Sequence, residues 1–117
     1  MKVKTSEAKE QVLGYLVAKC EGYFDIDMAS VRDGVVNVFY FPAWQPSTDW
    51  ALAGPIIERE RISIEDCQDG AGLYWEATRI EPPAVSEARG PTPLVAAMRA
   101  YVASKLGDEV EVPDELA

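Results

Sequence analysis

Arg61-Ile62-Ser63-Ile64-Glu65-Asp66-Cys67-Gln68-Asp69-Gly70-Ala71-Gly72-Leu73-Tyr74-Trp75-Glu76-Ala77-Thr78-Arg79-Ile80 is the stretch that decides the fold class. Residues 61–65 alternate apolar and polar side chains, the period of a half-buried strand. Residues 73–80 are rich in aromatic and β-branched types and form a second strand. Residues 67–72 carry two glycines and read as the turn between them, so the pair is expected to be an antiparallel hairpin. Two successive strands without an intervening helix favour a mainly antiparallel α+β domain over a doubly wound one.

Downstream, residues 81–91 are Pro-rich and read as an exposed connection. Thr92 then caps a helix with Pro93 at its first position. Leu94, Val95, Met98, Tyr101, Val102 and Leu106 make its apolar face, and Gly107 closes it. Upstream lies Pro46-Ser47-Thr48-Asp49-Trp50-Ala51-Leu52-Ala53-Gly54-Pro55-Ile56-Ile57-Glu58-Arg59-Glu60. Ser47 is expected to cap a helix there, with Thr48 and Asp49 in its first turn. Pro55 lacks an N–H, so that helix is expected to kink at Gly54-Pro55 or to give way to a second one that Pro55 opens.

Further upstream, Asp33-Gly34 signals a turn and Val35-Val36-Asn37-Val38-Phe39-Tyr40-Phe41 a strand that Pro42 ends. Residues 7–20 are expected to be helical, capped by Thr5 or Ser6, with Val12, Leu13, Leu16, Val17 and Cys20 on one stripe and Gly22 as the stop. Gly14 inside it costs about 1 kcal/mol relative to Ala and is read as a point of close packing. The sum is an α+β domain with a three- or four-stranded, mainly antiparallel sheet covered by about three helices on one or both faces, in the latter case a helix–sheet–helix sandwich. It is expected to occupy residues 1–107 as one domain, followed by an acidic tail over 108–117.

The chain has 117 residues, of which 20 are acidic and 11 basic, for a net charge of −9. Asp108, Glu109, Glu111, Asp114 and Glu115 crowd its end, which reads as a solubilising segment. Such a charge repels phosphate backbones, so a nucleic-acid partner is not expected. No apolar run reaches the ~20 residues of a membrane span, and the polar start lacks a signal-peptide core; the expected location is the cytoplasm. Cys20 and Cys67 are then expected to be reduced and packed. The chain has no histidine. Ser-His-Asp and Cys-His catalysis are thereby excluded. No metal-ligand set or Gly-rich phosphate loop is present either, and neither a cofactor nor an enzymatic activity is expected.

Two readings of Ser47, Thr48, Asp49 and Trp50 stand side by side. The free N–H groups of a helix start can hold a small anionic ligand while Trp50 stacks on a flat ring, as in a nucleotide-like pocket. Equally, Ser47 is a plain cap and Trp50 a core anchor. Glu58 and Arg59, with Glu60 and Arg61, are a polar cluster beside such a pocket or an exposed helix end with weak ion pairs. Trp44, Trp50, Tyr74 and Trp75 are many large aromatics for this length; they fit a sheet buried on both faces or an aromatic contact surface. Arg99 reads as solvated.

Ser47-Thr48-Asp49-Trp50, Gly54-Pro55-Ile56-Ile57-Glu58-Arg59-Glu60, and the block from Gly90-Pro91-Thr92-Pro93 to Ser104-Lys105-Leu106-Gly107 together resemble the NinX-like family of phage and prophage proteins. Met1-Lys2-Val3-Lys4-Thr5-Ser6-Glu7 and Ala18-Lys19-Cys20-Glu21-Gly22 add to the likeness, which leaves residues 23–33 and 81–89 outside it. The resemblance implies a phage or prophage accessory protein working in a bacterial host cell, with no assigned activity and no catalytic residues to carry over. Three partners remain in view: a host or phage protein, a small anionic ligand, or a second copy in a homodimer.

Overall fold

The computed structural model describes residues 1–23, 26–27, 36–38 and 44–116. The element order is β1 (Lys2–Lys4), a 3-10 turn (Thr5–Glu7), α1 (Glu10–Cys20), β2 (Ile26–Asp27), β3 (Asn37–Val38), α2 (Trp50–Glu60), β4 (Ser63–Asp69), β5 (Gly72–Glu81), β6 (Ala84–Gly90), α3 (Pro93–Leu106), β7 (Glu109–Glu111) and a closing 3-10 turn (Asp114–Leu116). Of the strand expected over 35–41, Asn37 and Val38 pair antiparallel with Ile26 and Asp27. The Asp33-Gly34 turn and the stop at Pro42 lie outside the described residues.

The α+β class holds, and the hairpin is present. β4 and β5 pair from Ser63↔Thr78 to Asp69↔Gly72, so the turn tightens to Gly70-Ala71 and β4 runs further than its alternation indicates. Residues 81–91 are not a loop. A turn through Pro82-Pro83 leads into β6, which pairs with β5 from Glu81↔Ala84 to Trp75↔Gly90. The strand escapes notice because its inward side chains, Ser86, Ala88 and Gly90, are small. They are small because α3 lies directly on them: a Cβ on Gly90 would stand 2.7 Å from the Ala96 nitrogen.

The layer order differs from a sheet held between helices. α3 packs against the sheet on one side and against α1 and α2 on the other. The helix is the middle layer and the three-stranded sheet an outer one. Ala96, Ala97, Met98, Ala100, Tyr101 and Val102 are all buried, covering far more of the circumference than one stripe. A helix apolar all round belongs in the interior, and its alanines admit neighbours closely. Thr92 caps it as expected, its Oγ1 accepting from the Val95 N–H at 3.2 Å.

The other helices show how capping is decided locally. α1 starts at Glu10, three residues later than expected, because Thr5 is used elsewhere: its N–H and Oγ1 both donate to the Asp108 carbonyl. Gly22, at φ 79°, ends it in a Schellman motif, with the Tyr23 N–H donating to Ala18 and the Gly22 N–H to Lys19. Gly14 is indeed a close approach: its carbonyl accepts from the Trp44 indole N–H at 2.9 Å. α2 runs from Trp50 to Glu60 as one helix with Pro55 inside. The bond Pro55 cannot make would reach Ala51, an exposed residue of the first turn whose carbonyl water can satisfy.

The acidic end is not a loose tail. β7 pairs with β1 as Lys2↔Glu111, Val3↔Val110 and Lys4↔Glu109, setting cations against anions across the ladder. Val112 and Leu116 are buried. Charge counting along the chain cannot register that two apolar side chains anchor this segment.

Candidate functional site

Among the described residues, the four side chains expected at 47–50 fall into two surroundings. The N-cap of α2 is Asp49, not Ser47; the Asp49 Oδ1 accepts from the Ala51 N–H at 2.9 Å. A carboxylate therefore occupies the helix start where an anion would bind. Ser47 is buried in the preceding turn, and the Thr48 hydroxyl donates to Gln45. These two residues border a cleft of about 230 Å3 with Glu10, Gln11, Val36, Trp44 and Gln45. Neither Asp49 nor Trp50 borders it. Trp50 is 57 % exposed, so it is not a core anchor. The indole in the cleft is Trp44, whose N–H is already engaged by Gly14 and whose ring meets Tyr23 edge-on.

Arg59 belongs to a larger cluster than the sequence indicates, and Glu58 stands exposed outside it. Arg59 donates to Glu21 at the end of α1 and to its neighbour Glu60 at 2.8 Å. Arg79 of β5 donates to Glu60 at 2.8 Å and to Glu81 at 2.7 Å, and Lys105 of α3 lies 3.8 Å from Glu60. The Tyr101 hydroxyl donates to Glu21 at 2.6 Å. The cluster ties the C-terminal ends of α1 and α2 to β5 and α3.

Its electrostatics are those of a brace. Arg59 first, with Arg79, holds the Glu60 carboxyl below its ordinary range against the opposing effect of burial. Glu81 is lowered by Arg79. Burial first, then Glu21, pushes Tyr101 above the usual phenol range, and the Cys20 thiol rises to about 12 for the same two reasons. Each of these shifts favours the form already present at neutral pH. Arg79 was the missed signal: it alternates with buried Ala77 on β5 and so must point inward with a partner.

Arg99 is not merely solvated. Its guanidinium donates to the carbonyls of Ala8 at 2.7 Å and Arg89 at 2.8 Å, pinning α3 to the chain start and to β6. Cys20 and Cys67 are both free thiols, Cys20 half-buried against the core. Among the described residues no group of three or more Cys, Asp or Glu side chains converges as a metal site would. Nor is any helix among them long and apolar enough to cross a membrane.

What remains is the outer face of the sheet. Alternation puts Ala77 and Arg79 of β5 under α3 and sends Tyr74, Glu76, Thr78 and Ile80 outward. Register adds Glu65 and Cys67 on one side, Val85, Glu87 and Arg89 on the other. None of these outward residues is buried. Ile80 and Val85 face each other across the strands and are 63 % and 57 % exposed. Arg89 stacks over the Tyr74 ring, 4.6 Å from its centroid, and lies 3.6 Å from Glu76. Of the two readings of the aromatics, Trp44 is core, Trp75 is half-buried on the covered face, and Tyr74 belongs to an exposed surface.

The family model described as Bacteriophage P22, NinX matches residues 4–105, which include α1, α2, the whole three-stranded sheet and nearly all of α3. Among curated proteins none matches the chain.

Proposed function

The chain belongs to the phage P22 NinX family, and from that premise we propose that it is a non-enzymatic accessory protein that binds a host or phage protein through the outer face of β4, β5 and β6. Its place of action on this reading is the cytoplasm of the bacterial host. The observation that carries the reading is the exposed apolar pair Ile80 and Val85 on a sheet face that no helix covers among the described residues. Each such side chain gains about 1.5–3 kcal/mol when moved from water into a packed contact. In the free chain that gain is forgone. The engaged carboxylates of the Glu21–Arg59–Glu60 cluster support a role without acid–base chemistry.

The test is affinity capture from bacteria carrying the phage, using the wild type and an Ile80→Glu/Val85→Glu variant whose fold is verified by circular dichroism. The wild type is expected to retain a defined protein that the variant loses by about tenfold or more. Equal capture by both would overturn the assignment of the face. The small-ligand alternative now rests on the cleft beside Ser47 and Thr48, without Trp50 or a free helix start. Its measurement is thermal stabilisation by a nucleotide panel, and no shift is the expected outcome.

A further inference from the structure

The outer face is not a neutral apolar patch. Glu65 and Glu76 stand directly opposite each other across β4 and β5. Glu87 follows on β6, one row further along beside Thr78. Like charges in direct cross-strand register destabilise a sheet. Among the described residues one cation, Arg89, serves this acidic row, and it is shared among Glu76 at 3.6 Å, Asp69 at 3.8 Å and the Tyr74 ring. Glu65 and Glu87 make no ion pair among the described residues. At one end of the row sit Ile80 and Val85.

We propose that this face docks a protein segment carrying lysine or arginine side chains beside an apolar residue. The apolar residue seats on Ile80 and Val85, and the cations reach Glu65, Glu76 and Glu87. The inference rests on the protein-binding reading above and names the chemistry of the partner. Charge argues against the other occupants. A second copy laid face to face would bring the same three glutamates against their own counterparts. A nucleic acid would bring phosphates against them. A cationic segment relieves the opposed pair already built into the sheet and keeps its own charges in a half-wet setting, where ion pairs act on specificity and association rate.

The experiment is an NMR titration of the whole chain with two synthetic peptides of alternating pattern, one of lysine and valine, the other of glutamate and valine. With the lysine peptide, amide shifts are expected along β4, β5 and β6. The apparent affinity is expected to fall about tenfold or more between low and high salt, since exposed pairs are screened. A Glu65→Gln/Glu76→Gln/Glu87→Gln variant, which keeps the shape of the face, is expected to lose that salt dependence and most of the binding. Equal binding of the glutamate peptide, or shifts confined to residues 108–116, would overturn the proposal. Capture by the wild type and this glutamine variant separates the two claims. If capture is lost in Ile80→Glu/Val85→Glu but unchanged in the glutamine variant, protein binding stands and the cationic chemistry falls. If Ile80→Glu/Val85→Glu changes nothing, both fall.

Discussion

Gly90 sits where the end of β6 runs under the first turn of α3. A methyl group there would meet the Ala96 nitrogen at 2.7 Å and the Val95 Cγ1 at 2.9 Å, and backbone cannot move aside cheaply. Gly90→Ala is expected to lower stability by about 1–3 kcal/mol, the range for overpacking, in urea unfolding. Arg61 presents the opposite case. It ends α2 at φ 55°, with the Ile62 N–H donating to the Ile57 carbonyl, the position where glycine is ordinarily found. Arg61→Gly is expected to raise stability by about 1 kcal/mol by removing the left-handed cost of a Cβ. The two thiols should also separate. Cys20 is held near 12 by burial and Glu21, whereas Cys67 lies on the outer sheet face; a disulfide reagent at mildly alkaline pH is expected to modify Cys67 first and Cys20 only on unfolding. Stability that rests on the protonated Cys20 is present below the ordinary thiol range and lost as pH rises through the folded value.

At the scale of elements, the caps show what a sequence can and cannot rank. Ser47, Thr48 and Asp49 are all good N-cap types, and local propensity does not choose among them. The choice fell to Asp49 because Ser47 is buried in the turn against Trp44's cleft. Asp49→Ala is accordingly expected to cost about 1 kcal/mol through the lost cap, and Ser47→Ala to leave α2 capped. β6 was illegible for a related reason: strand signals are read from large β-branched side chains, and here the inward ones are reduced to serine, alanine and glycine by the helix above them. The hairpin and α3 were legible because spacing, start and stop signals agree. The polar brace was half legible. Arg59 could be singled out, but Glu21, Arg79 and Tyr101 meet it only after three other elements have packed. The brace has a pH signature. The Glu60 and Glu81 carboxyls are lowered in the folded chain, so their contribution is present above the ordinary glutamate range and lost as pH falls through the folded values. Urea midpoints are expected to drop below about pH 4 in the wild type, and less steeply in Glu60→Gln.

For the whole molecule, the middle position of α3 makes the layers depend on one another. Removing residues 108–117 strips β1 of its partner and exposes what Val112 and Leu116 cover, a loss of about 3 kcal/mol or more by apolar transfer. A solubilising tail would cost nothing, so thermal unfolding of the shortened chain separates the two pictures. Amides of the α3 segment from Ala97 to Tyr101 are expected to exchange only through global unfolding, since no layer can leave without uncovering that helix. The family likeness was legible mostly in this helix, the element with the least surface, and for that reason it says much about descent and little about what is touched. The outer sheet has a different freedom. One side is dry and fixed by α3; the other contributes almost nothing to the core. Ten or so outward positions can therefore be rewritten with little effect on folding, each strand keeping its inward residues. The domain is in effect a mounting plate, and chains sharing this frame can diverge in what they present while folding alike.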